Sequence, residues 1–408
     1  MMKLWQHGKP GAASQKAIDL AVEKFTVGKD PLLDLALLPY DCLASKAHAR
    51  MLADIGLLSR DEAAALTAGL DEILALHARG EFTIAQSDED GHTAIENHLV
   101  RRCGEAGKKI HTGRSRNDQV LTALRLYSKE QAGQAIALLQ KIVATFDILI
   151  AARGELPLPG YTHTRKAMPS NVGMWAAAFR EALQDDLRLL DAAVLLIDQN
   201  PLGTGAGYGI PLPLDRQKTT EALGFARVMA NPIHAQNSRG KYEGILLHGL
   251  AQVMADINRM ASDLVLFTMP GFGFFTLPAA FMTGSSIMPQ KQNPDVLELL
   301  RAKYHAVAAC EFQVRSSTIN LISGYHRDLQ LTKEPLMRGL ATALESLQMT
   351  LMVVQNLGVD EARCKSAMTE ELYATERAYQ LVQQGVPFRE AYRIVAAQYH
   401  EENAHGKR

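Results

Sequence analysis

The chain has 408 residues, 47% hydrophobic and 21% charged, with a formal net charge of −1. That length allows two or three domains around a large core, and a near-neutral chain without a basic block argues against a nucleic-acid partner. No stretch is read as approaching the apolar length of a bilayer span, and the opening residues Met1 to His7 lack the apolar core of a secretory leader. The four scattered cysteines (Cys42, Cys103, Cys310, Cys364) show no metal-type pairing. They are expected to be reduced thiols, as in a cytoplasmic protein.

In chain order, a mostly helical N-terminal domain is expected over 1–110. After Asn117, the apolar residues Ile136, Leu139, Val143, Phe146 and Ile150 recur at alternating steps of three and four. This is the seam of a long bundle helix, which Pro157 and Pro159 should end. A second long helix is predicted from about Ser170 to Asp198 and a third over roughly Glu243 to Phe267. A fourth should start near Pro294, with Asn293 before it as a cap. A fifth carries Leu336, Leu340, Ala343, Leu347, Leu351 and Val354. The expected fold is therefore all-α, a long central helix bundle over 111–357 with smaller helical domains before it and at 358–408. No run alternates with period two long enough for a substantial sheet. Such long apolar faces exceed what one five-helix layer hides and imply contact with further subunits.

One segment concentrates chemistry: Gly284-Ser285-Ser286-Ile287-Met288-Pro289-Gln290-Lys291-Gln292-Asn293-Pro294. It puts hydroxyls, a flexible turn rich in N–H groups and an ammonium close to a helix start. Those groups together can stabilise a carboxylate-derived anion while a proton leaves beside it. A loop that only caps its helix is the plainer reading. The segment closely resembles the signature of the argininosuccinate lyase branch of the aspartase/fumarase superfamily. Further blocks follow the same family pattern: Glu89 to Glu96, His111 to Gln119, Pro159 to His163, Pro201 to Ala206, Tyr325 to Gln330 with Lys333-Glu334, and Gly385 to Ala391. The resemblance spans nearly the whole chain, and the His111 to Gln119 block is the most discriminating among sister enzymes.

The resemblance implies a carbon–nitrogen lyase of arginine biosynthesis that reversibly splits argininosuccinate into arginine and fumarate, without metal or organic cofactor. It implies a homotetramer with a twenty-helix core, whose active sites each draw on three chains. Carried over by position, Ser285 takes the proton. Its hydroxyl is too weak a base unless loop N–H groups, a helix N-terminus or Lys291 stabilise the alkoxide. Lys291 neutralises the reacting carboxylate and Asn293 holds it. His163 matches the second catalytic position, oriented by Glu298. Arg116 and Asn117 bind the succinyl carboxylates and Thr162 adds a donor. Tyr325, Gln330 and Lys333 hold the amino-acid end of the substrate, and His92 lines the site. Arg239 resembles a further site arginine in altered surroundings.

Several positions depart from the family pattern. After His163 the family commonly reads Leu-Gln-Arg-Ala-Gln-Pro, whereas this chain has Thr164-Arg165-Lys166-Ala167-Met168-Pro169, placing an extra cation near the site. A substrate-contacting serine is matched to Gly28, and Asn237-Ser238-Arg239-Gly240 replaces a Ser-Asp-Arg-Asp segment. Family members commonly continue beyond the equivalent of Arg408, so a short C-terminal region is expected. The alternatives are a related lyase acting on an N-acylated argininosuccinate or another N-substituted aspartate, and a catalytically silent scaffold protein. Retention of Ser285, His163 and Lys291 argues against the scaffold.

Overall fold

The structure, a computed structural model, describes residues 13–405. The helices in order are α1 (Ala13–Val27), α2 (Asp30–Asp54), α3 (Arg60–Ala78), α4 (Gly91–Cys103), α5 (Arg116–Arg153), α6 (Val172–Ile197), α7 (Arg216–Ala222), α8 (Pro232–Asn237), α9 (Lys241–Phe267), α10 (Asp295–Ser317), α11 (Lys333–Gln355), α12 (Glu361–Ser366), α13 (Ala374–Gln383) and α14 (Phe388–His405). The long helices read from apolar spacing are α5, α6, α9 and α11, and α10 is the one expected to start near Pro294. The fold is all-α. The strands are short: β1 (Pro157–Thr162) with β2 (Arg165–Asn171), then two-residue pairs joining β3 (Gln199–Asn200) to β4 (Arg227–Val228), β5 (Phe275–Thr276) to β8 (Gly358–Val359), and β6 (Thr283–Gly284) to β7 (Gln292–Asn293).

Contacts divide the chain into two compact units. The first combines residues up to Gln131 with Ala193–Ile245 and Phe312–Met337; the second combines Ala132–Ala192, Leu246–Glu311 and the chain from Arg338. In the first, α3 starts with a capping box in which Ser59 and Glu62 satisfy each other's backbone N–H groups. Leu66, Leu70 and Ile73 of that helix then pack with Leu38, Cys42 and Leu52 of α2 and with Ile95 and Leu99 of α4. Each fully buried Leu or Ile there contributes about 1.5–3 kcal/mol.

In the second unit, polar contacts link the long helices in series. Arg180 of α6 pairs with Asp147 of α5, and the Trp175 indole of α6 donates to Asp263 of α9. Asn258 of α9 donates to the Arg301 carbonyl of α10, and Lys303 of α10 pairs with Glu345 of α11. The end of α5 and the start of α6 meet through glycine: a Cβ on Gly154 would lie 2.4 Å from the Ile150 carbonyl oxygen, and one on Gly173 would lie 3.1 Å from the Gly154 backbone.

One expectation is corrected. The helix α5 contains an 18-residue window of mean hydropathy 1.9, long and apolar enough by composition to cross a membrane. Polar residues interrupt the run, and Leu139, Ile142 and Phe146 on the same helix are fully buried, though a third of the window is buried in all. A core helix of a bundle passes the same test.

Candidate active site

The segment around Ser285 is a loop closed at its base by the β6–β7 ladder, Thr283 opposite Asn293 and Gly284 opposite Gln292. Thr283 also hydrogen-bonds Asp295 at the start of α10, tying the loop to the helix. Inside it, the Ser285 hydroxyl oxygen accepts from the Ile287 N–H at 3.4 Å and the Met288 N–H at 3.1 Å. Two backbone dipoles therefore converge on the oxygen that would bear charge as an alkoxide. Lys291 and Glu298 are exposed, and their side chains make no hydrogen bond among the described residues. Asn293 is half-buried in β7, one residue short of a direct cap, and Pro294 supplies the first helical carbonyl to the Leu297 and Glu298 N–H groups.

His163 sits at the tip of the β1–β2 hairpin, which the sequence did not reveal. Thr162 pairs with Arg165, leaving His163 and Thr164 as a two-residue turn with φ of 52° and 59°. Both are left-handed and neither is glycine, a conformation that costs about 1 kcal/mol or more per residue. The strands below hold it: Tyr161 packs on Phe272 and Phe267, with ring centroids 5.8 and 6.2 Å apart. Lys166 donates to Thr369 Oγ1 at 2.7 Å and lies 3.6 Å from Glu371. Lys166, where the family pattern has an arginine, is thus engaged by the C-terminal segment, whereas the added cation, Arg165, is exposed at the tip with Thr162 and His163. No hydrogen bond joins His163 to Glu298 within one chain.

The first unit carries a separate concavity of about 380 Å³ that gathers Arg116, Asn117, Tyr325, Gln330 and Lys333 with Arg239. Arg116 donates to Asp90 at 2.9 Å and Thr93 at 3.0 Å, locking the N-terminal end of α4. Beside it Glu89, at φ 69°, also lines the cavity. Arg327 and Gln330 donate to the Thr26 carbonyl, closing the C-terminal end of α1. Asn237 holds the loop that bears Tyr325, accepting from the Gly324 N–H and donating to Ser323. Next to it, a Cβ on Gly240 would lie 2.3 Å from Thr318 Cγ2. This packing seats Arg239 over the Tyr325 ring, 5.3 Å from its centroid, with its Nε buried and unbonded.

Lys333 is buried at the start of α11 and donates to Asp34 at 2.6 Å and Asp30 at 3.0 Å. Burial works against its charge, but Asp34 and Asp30 outweigh it and raise its pKa. Sequence reading singled out neither aspartate. Their spacing of four on one helix turn was the available signal. Gly28, matched to a lost substrate serine, does not line this cavity; it borders a neighbouring one of about 640 Å³, and Asp30 lines both.

His92 does not line the cavity either. It is buried and stacked on His111, with ring centroids 3.5 Å apart, and its Nδ1 donates to Gln119 Oε1. The ligand atoms of His92, Glu96 and His111 lie within 4.8 Å of one another, a spacing a metal ion could use. The chemistry does not suit one: Arg114 donates to His111 Nδ1 at 2.7 Å. The ring must therefore carry its proton on Nε2, which is the atom a metal would need.

The architecture recurs in an EDDS lyase crystallised with formate, at TM-score 0.82 and 25% identity over 94% of this chain and 76% of that chain. It recurs again in a fumarate lyase:delta crystallin from Brucella melitensis, at TM-score 0.79 and 19% identity over 96% and 89%. Residues 13–308 match the lyase family, which places this protein among the lyases. Residues 371–408 match the argininosuccinate lyase C-terminal family. Argininosuccinate lyases from Thermotoga neapolitana and Sorangium cellulosum are 48% and 47% identical to it, over 98% and 97% of this chain and 99% and 90% of theirs. The chain belongs to the argininosuccinate lyase family.

Proposed function

We propose that this enzyme splits argininosuccinate reversibly into arginine and fumarate. A proton leaves the carbon next to one succinyl carboxylate, and the bond from the neighbouring carbon to the guanidino nitrogen breaks. Ser285 is the base, and Lys291 and Asn293 steady the carboxylate on which charge grows. His163 serves the departing nitrogen, with Glu298 orienting it, and Thr162 adds a donor. Arg116 and Asn117 take the succinyl carboxylates, while Tyr325, Gln330 and Lys333 hold the amino-acid end. The observation that carries this chemistry is the pair of loop N–H groups on the Ser285 hydroxyl, since an alkoxide base needs such donors.

The active form is a homotetramer whose sites combine residues from several chains. Apolar residues left exposed on the long helices support this, among them Ile148, Met174, Leu195, Leu299, Phe312 and Met352. Four free cysteines, three of them buried, accord with a reducing, cytoplasmic setting. The test is fumarate release from argininosuccinate, followed by ultraviolet absorbance. Wild type should release fumarate, and Ser285→Ala should lower kcat by about 10²–10⁴-fold with the assembly intact. Undiminished turnover in that variant would remove Ser285 as the base.

A further inference from the structure

The polar groups around Lys333 are unequally engaged, and the inequality points to what they read. Asp34 has both oxygens occupied, one by Lys333 and the other by the Gly91 N–H at 2.9 Å. Asp30 gives one oxygen to Lys333, and its second has no partner among the described residues. Gln330 directs its amide nitrogen to the carbonyls of Thr26 at 3.0 Å and Val27 at 3.4 Å. A nitrogen held by two carbonyls fixes the flip of the amide, so its oxygen is left as an acceptor. Lys333 can donate three N–H groups and uses two on the aspartates. One wall of the cavity thus combines two spare acceptors with one spare cationic donor. The charges of the lining balance, Asp30, Asp34, Glu89 and Asp90 against Arg116, Arg239, Arg327 and Lys333, and Asp30 is the charged group among the spare acceptors.

That pattern complements the zwitterion of a free α-amino acid, whose ammonium and carboxylate sit on one carbon. Resting on the lyase reading above, we propose that Asp30 and the Gln330 side-chain carbonyl recognise the α-ammonium of the substrate's amino-acid end and so select against substrates acylated there. Acylation removes the charge and leaves a single N–H where three stood. Space is not the discriminator, because the adjoining cavity of about 640 Å³ shares Asp30 and Gln330 and could house an acyl group. Charge is.

The experiment compares kcat/KM for argininosuccinate and its α-N-acetyl form, in wild type and in Asp30→Asn, both as assembled enzyme. Wild type should favour the free amine by about 100-fold or more. Asp30→Asn should lose about 10–100-fold on the free amine, carried by KM, and the preference should narrow at least tenfold. Thermal unfolding of the variant confirms that it is folded. Calorimetric binding of arginine against N-acetylarginine to wild type reads the same selectivity without turnover and should favour arginine. Equal use of both substrates by wild type, or an equal loss on both in the variant, would overturn the assignment of Asp30. Fumarate from neither substrate with wild type would overturn the lyase reading itself, and the proposal with it.

Discussion

Three imidazoles share a dry volume with the Arg114 guanidinium. His48 is buried with its Nε2 donating to the Thr112 carbonyl at 2.8 Å, and His92 and His111 stack alongside. Burial, then the charge of Arg114, pushes His48 and His92 from 6.5 down to about 3, and His111 is lowered by the same causes. All three are therefore neutral in the folded protein at neutral pH. Below pH 6.5 the unfolded chain takes up protons that the folded chain refuses. Stability present above pH 6.5 is then lost as the pH falls toward 3, by about 1.4 kcal/mol per pH unit for each histidine. Asp41 and Asp118, pushed up to about 6 mainly by burial, act in the opposite sense between about pH 6 and 4. Asp186, raised to about 7 by burial and by Asp256, acts in that opposite sense too, so the histidine share is read by substitution. Urea unfolding at fixed protein concentration, at pH 5 and pH 7.5, gives the pH dependence of stability. His48→Gln keeps a donor for Thr112 and should make the pH 5 stability higher relative to pH 7.5 than in wild type, by about one histidine's share. An unchanged slope would show that His48 is not part of it.

At the scale of the element, the β1–β2 hairpin positions His163 by a turn that its sequence does not favour. Two-residue turns with both φ angles positive prefer asparagine or glycine. Here His163 and Thr164 occupy them, and the strain is offset by Tyr161 on the Phe267–Phe272 rings and by Lys166 on Thr369. Thr164→Gly should relieve the strain and raise stability by about 0.5–1 kcal/mol, read as a higher melting temperature. A fall in melting temperature would mean that Thr164 makes compensating contacts. The loop of Ser285 is the converse case, since its β6–β7 base and the Thr283–Asp295 bond hold the turn and Gly284 keeps an ordinary strand conformation.

At the scale of the whole molecule, one chain gathers Arg116, Asn117, Tyr325, Gln330 and Lys333 in its first unit, whereas Ser285, His163, Thr162, Lys291 and Asn293 belong to the second. If copies complete one another, variants defective at different positions should complement. Ser285→Ala and His163→Asn, each inactive alone, should recover part of the wild-type rate when co-assembled, because some sites in the hybrid contain neither substitution. Verified hybrids with no activity would remove the shared-site arrangement. The same assembly would cover the apolar faces of α5 and α6, where Ile148 and Leu195 are more than 60% exposed in one chain.

Helix periodicity is a local property, and it was legible: four apolar seams placed α5, α6, α9 and α11, the Asn293-Pro294 pair marked the start of α10, and contiguous motifs marked the Ser285 loop and the Arg116–Asn117 turn. The apolar length of α5 escaped notice because polar residues interrupt a run that is judged by its mean. The His163 hairpin escaped because Pro157, Pro159 and Pro169 read as punctuation and its alternation is too brief to register. The partners of Lys333 lie about 300 residues away, and no local pattern couples Asp30 or Asp34 to it. Sequence by itself determined which stretches form the long helices and which contiguous motifs resemble the family's, because both depend on near neighbours in the chain. Only the tertiary structure decided that Lys333 is neutralised by two aspartates, that His92 does not line the cavity, and that Asp30 keeps an oxygen free among the described residues. Those facts depend on which distant groups share a desolvated volume, and desolvation governs whether a charge is paired, shifted or left available to a substrate.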